Sequence, residues 1–199
     1  MMKILLRLSR AIDWLNERIG RLVYWLVLAA VLISAANAMS RYVLNKTSNG
    51  WLEMQWYLFA AIFLLCSGYT LLHNEHIRID VVSQRFSRRT QIWGDIFGTI
   101  FFMLPMTVFI MALGWPMFKE AYMVHEVSAD PGGLVRWPVK LLVPVGFFLL
   151  SLQGISELIK RIAFLMGLIP DPLEKHVEAA LEIIKDEVEI GRASCRERV

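Results

Sequence analysis

The chain has 199 residues, 56% of them hydrophobic and only 20% charged, with a mean hydropathy of +0.49 and a net charge of +3. Soluble globular domains carry nearer one half apolar residues, so this composition argues against an ordinary soluble enzyme. The small basic excess sits beside apolar runs, so it gives no indication of nucleic-acid binding.

The charges are segregated. Nineteen uncharged residues separate Arg21 from Arg41, 19 separate Glu53 from His73, 23 separate Asp95 from Lys119 and 16 separate Lys140 from Glu157. A bilayer core of about 30 Å needs about 20 helical residues. The runs therefore predict an all-α integral membrane protein with four transmembrane helices, at about 22–40, 54–73, 92–118 and 137–158. The fourth reaches full length with Trp137 to Lys140 and Glu157 at the interfaces.

Ahead of the first span, residues 1–21 predict an amphipathic interfacial helix. Ile4, Leu8, Ile12, Leu15, Ile19 and Leu22 recur at steps of three or four, beside Lys3, Arg7, Arg10, Arg18 and Arg21. Such a basic arm, with Trp14 at a suitable depth, is expected to lie among the phospholipid headgroups. In the first span, Ala30, Ser34, Asn37, Ala38 and Arg41 share a face suited to close helix packing. Ala36-Asn37-Ala38 resembles a signal cleavage site, but the apolar run continues past it, so the span is expected to be retained. Gly94 and Gly98 form a GxxxG pattern at the start of the third span. Pro105 is expected to kink that span, and Pro144 lies near the outer end of the fourth. After the spans, residues 170–190 predict a cytoplasmic amphipathic helix rich in Glu, set off by Pro170 and Pro172. Residues 191–199, within GRASCRERV, resemble a cloning remnant. Cys66 and Cys195 are too separate in setting to form a disulfide framework.

Eleven Lys and Arg flank one set of helix ends against five on the other, which predicts that both termini are cytoplasmic. Trp51, Trp56, Trp115 and Trp137 then mark the outer interface. Pumps and coupled transporters keep ionisable side chains within the membrane, and none falls in the four uncharged runs. The chain is thus expected to act as an accessory or scaffold subunit. A stand-alone channel or exporter is the alternative.

A third possibility comes from His73, His76 and Asp80, which fall near one face of a continued helix and could form a two-histidine, one-carboxylate metal site of an intramembrane metalloenzyme. The stretch lies where a helix leaves the bilayer, so a structural anchor is expected instead. There Arg78 would reach a phosphate or carboxylate, and Asp80 would accept turn hydrogen bonds. At the outer ends of the first two spans, Arg41 and Glu53 are expected to pair or to bond loop backbone.

Several stretches together resemble the small membrane subunit, DctQ-like, of the tripartite ATP-independent periplasmic (TRAP) transporters. They are SRYVLN (Ser40 to Asn45), GWLEMQWYLFAAIFLLCSG (Gly50 to Gly68, with Trp51 and Glu53), HIRID (His76 to Asp80) and VRWPVKLLVPVGFFLLSLQGISEL (Val135 to Leu158, with Pro144). The resemblance covers about residues 20–165, with Glu53-Met54 where members often carry two adjacent acids. It implies a bacterial inner-membrane complex in which a periplasmic binding protein delivers an organic acid to a large multi-span permease. Sodium would drive uptake from that large subunit, and this subunit would hold no cofactor. The small subunit would brace the scaffold, with outer loops 42–50 and 119–137 available to the binding protein.

Overall fold

The structure, a computed structural model, describes residues 2–45, 48–73 and 87–169. The described residues are helical apart from turns and an isolated antiparallel bridge between Val127 and Val135. In order they form α1 (Met2–Leu44), α2 (Asn49–Leu72), α3 (Arg88–Gly98), a π-helical turn (Thr99–Met103), α4 (Leu104–Met123) and α5 (Trp137–Leu165). With α3, the π turn and α4 running as one rod, four helices are long and apolar enough to cross a membrane.

α5 is the centre of the bundle. It packs against α1, α2 and α4, and half of its most apolar window is buried, against 11–17% in the other three. α1 also packs along α2. Gly146 allows the α2–α5 approach, because a Cβ there would stand 2.8 Å from the Leu64 carbonyl oxygen. The expected small-residue contacts distribute unevenly. Ala30 is buried, Ser34 donates to the Ala30 carbonyl at 2.7 Å, and Asn37 is half-buried. Gly94 and Gly98 face open space, with nothing within 4 Å of an added Cβ, so the GxxxG pattern packs no helix among the described residues.

Residues 2–44 are one helix of 43 residues, and the expected boundary at residue 21 falls inside it. No proline precedes Pro105 to break it, and Gly20 is buried against the Tyr69 ring. At about 1.5 Å per residue α1 is about twice as long as a bilayer core is thick. Its first half packs through only one edge of the apolar stripe. The covered face joins Ile12 to the small and polar Ser9, Asn16 and Gly20, while Ile4, Leu8, Leu15 and Leu22 are exposed.

The other helices also outrun their expected spans, and their ends show why they stop. Asn45 (φ 49°) ends α1 in the left-handed region that Asn tolerates. α5 closes with Gly167 (φ 71°), its N–H bonding the Phe164 carbonyl while that of Leu168 bonds Ala163. α4 closes in the same pattern around His125 (φ 49°), through His125 to Tyr122 and Glu126 to Ala121. Pro105 follows the π turn, where the helix widens ahead of a residue that has no N–H for the Phe101 carbonyl. The helix expected at residues 170–190, the 191–199 tail, and His76, Arg78 and Asp80 lie outside the described residues.

Candidate functional site

One face of the first turns of α2 carries Asn49, Glu53 and Tyr57 at steps of four, so all three point the same way. Each bonds the loop between α4 and α5. Asn49 Nδ2 donates to the Pro131 carbonyl at 3.2 Å, and the Tyr57 hydroxyl donates to the Val135 carbonyl at 3.2 Å. Between them Glu53 Oε2 accepts the Leu134 N–H at 2.6 Å, and Oε1 accepts the Ser128 hydroxyl. Glu53 is only 5% exposed, and two donors meeting a carboxylate offset its desolvation.

The loop is itself folded. Ser128 N–H bonds the Leu134 carbonyl at 3.0 Å, Gly133 N–H bonds Asp130 at 3.0 Å and Arg136 N–H bonds Glu126 at 2.9 Å. Gly133 is required by space, since an added Cβ would collide with Ser128 and stand 2.9 Å from Glu53 Oε1. Glu126 pairs with Lys140 and, at 3.9 Å, with Arg136, while Tyr122 meets Trp137 edge to face at 5.7 Å. The result is a small, hydrogen-bonded cap over the N-terminal end of α2. Its rim exposes His125, Val127, Asp130, Pro131 and Arg136.

Arg41 is exposed, and no Arg41–Glu53 ion pair occurs among the described residues. The Glu53 carboxylate is instead held by loop backbone and Ser128. Trp51 is half exposed, and Pro144 is buried deeper, where a Cβ added at Gly114 would stand 3.3 Å from its ring.

At the opposite end a second polar cluster locks α1 to α5. Asn16 Nδ2 donates to Gln153 Oε1 at 2.8 Å, and Gln153 Nε2 donates to Asp13 Oδ1 at 2.9 Å. Ser156 bonds Ser9 at 2.7 Å and donates to Asp13 at 2.7 Å. Lys160 bridges Glu157 and Asp13. Next to this cluster, His73 Nε2 lies 2.9 Å from Glu17 Oε2, and Arg21 holds the same carboxylate from one turn away. Arg161, nearly buried, reaches Asp95 at 3.5 Å and the Thr99 hydroxyl at 3.3 Å beside the π turn.

Sequence reasoning missed this cluster. Its signal was the spacing of Ser9, Asp13 and Asn16 against Gln153, Ser156 and Lys160, each set recurring at three or four residues on one helix face. His73 is thus part of an inter-helix contact. No group of three metal-ligating side chains occurs among the described residues.

No curated protein and no solved structure matches the chain significantly. A family model does. That of the DctQ component of the tripartite ATP-independent periplasmic transporters matches residues 30–164. The match takes in α2, the cap, the rod that carries Arg161's partners and all but the last residue of α5. With four membrane-length helices in that frame, the chain belongs to the DctQ family, a membrane component of TRAP transporters.

Proposed function

We propose that the chain is the scaffold subunit of an inner-membrane TRAP importer: it braces a large permease that moves an organic acid with sodium, and its outer cap receives the periplasmic binding protein. The family match over residues 30–164 carries this reading. The positive-inside bias supports cytoplasmic termini and a periplasmic cap. The cap suits docking, because its backbone is ordered by Glu53 before any partner arrives, and a preorganised loop loses less entropy on binding. The polar lock between α1 and α5 suits bracing, because buried interhelical hydrogen bonds fix helix rotation.

The test uses the exposed rim and leaves the Glu53 bonds in place. In the assembled transporter, Val127→Arg with Asp130→Lys should cut capture of the binding protein and substrate uptake at least about tenfold, the scale of one or two lost contacts at an interface. The large permease should still copurify. Undiminished capture and uptake would remove the cap from the docking surface.

A further inference from the structure

The cytoplasmic half of α1 has a flank that neither the bundle nor the family match accounts for. Ser9, Asp13 and Asn16 bind α5, and this fixes the rotation of the helix. With that face turned inward, Lys3, Arg7, Arg10, Arg18 and Arg21 fall within about a quarter of the circumference at about 100° per residue. All five are exposed, and Trp14 (62% exposed) and Trp25 (70%) share their strip. Beside it runs a second exposed strip, Ile4, Leu8, Leu15 and Leu22.

Among the described residues Lys3, Arg7, Arg10 and Arg18 form no ion pair. Arg18 instead rests over the Trp14 ring at 5.5 Å, and Arg10 reaches only its own Leu6 carbonyl at 3.4 Å. The residues from Lys3 to Trp25 precede the stretch that the family model matches.

The paired strips choose the occupant. An acidic soluble protein would satisfy the guanidinium groups and leave the four aliphatic side chains in water. A bilayer surface takes both, with acyl chains against the aliphatic strip, phosphates against the basic one and the tryptophans at headgroup depth. Zwitterionic headgroups offer no net charge, whereas anionic headgroups gain from each basic residue near the surface.

We propose that this flank binds the phosphates of anionic phospholipids through Arg7, Arg10 and Arg18, with Trp14 seated between them. Because the opposite face is bonded to α5, lipid bound here stabilises the whole bundle and not the arm alone. The proposal does not depend on the transporter reading, and the full chain on its own suffices to test it.

Purified chain in neutral detergent is given phosphatidylglycerol or phosphatidylcholine, with retained lipid counted by native mass spectrometry and unfolding followed by heating. Phosphatidylglycerol should be retained about tenfold better and should raise Tm, and high salt should erase both effects. R7Q/R10Q/R18Q should bring the preference within about twofold. If that variant does not fold, the salt dependence of the unaltered chain decides. Equal retention of the two lipids, a preference that survives high salt, or inorganic phosphate reproducing the Tm rise would overturn the proposal. So would R7Q/R10Q/R18Q leaving the lipid preference intact while abolishing copurification of the large permease, which would assign the flank to a protein partner.

Discussion

Gln153 has no exposed surface, and both ends of its amide are engaged, one by Asn16 and the other by Asp13. Replacing it with Leu would leave the Asn16 amide and one Asp13 contact unmade inside the bundle. The expected loss is about 1–3 kcal/mol, the cost of stranding buried polar groups. It would be read as a lowered unfolding midpoint in detergent; an unchanged midpoint would mean that water already serves these groups. Glu53 makes a similar case at the other end. Glu53→Ala strands the Leu134 N–H and frees the Ser128 hydroxyl, so amide exchange across residues 126–136 should accelerate by about five- to thirtyfold as the local opening energy falls by about 1–2 kcal/mol. The importance of Glu53 was legible in the sequence, because a carboxylate at the mouth of an apolar run needs partners. Which partners was not legible: Ser128 and Leu134 lie more than seventy positions away, and only the fold of the cap brings them to Glu53.

The helices themselves were the most legible part, since charge-free runs of bilayer length have few other uses. Their ends and faces were less so. The apolar stripe of residues 4–22 marked α1 as amphipathic, yet its packed face takes only one edge of that stripe, joining Ile12 to Ser9 and Asn16. Hydrophobicity drives packing in water but not between a helix and its neighbours in or near lipid, where small and hydrogen-bonding residues select the contact. The GxxxG pattern shows the converse, small residues that meet nothing among the described residues. Two helix features yield tests. His125 holds a left-handed conformation in which a side chain costs about 1–2 kcal/mol. His125→Gly should therefore raise the unfolding midpoint by a few degrees, and a fall would show that its exposed ring contributes more than the strain removes. Pro105→Ala should let the π turn tighten to an α-helix and shift the register of the rod by one residue, separating Thr99 from Arg161 or Thr107 from Ser151. Disulfide trapping between cysteines placed at 107 and 151 would report it, with efficient trapping when Pro105 is present and weak trapping once it is replaced. Equal trapping in both backgrounds would show that the π turn persists without the proline.

At the scale of the molecule, α5 is enclosed by α1, α2 and α4, while the outward faces of the outer helices remain apolar and open. The described ionisable groups gather at the two ends, around Glu53 and Glu126 on one side and around Asp13, Glu157 and Arg161 on the other. That distribution supports a brace whose ends are fixed and whose flanks accept lipid or a larger partner. The proposed permease partner rests on the family alone, because nothing in helix length or charge spacing specifies a permease. Reporter fusions should place both termini in the cytoplasm, and a periplasmic N-terminus would turn the cap inward and remove it from a periplasmic binding protein. The most direct test of the scaffold role is affinity purification of this chain from membranes that coexpress the products of its neighbouring genes, followed by reconstitution. The scaffold role predicts recovery of a stable complex with one much larger multi-span protein, and no uptake by liposomes that contain this chain alone. Recovery of the chain without such a partner, together with transport by the chain alone, would contradict it.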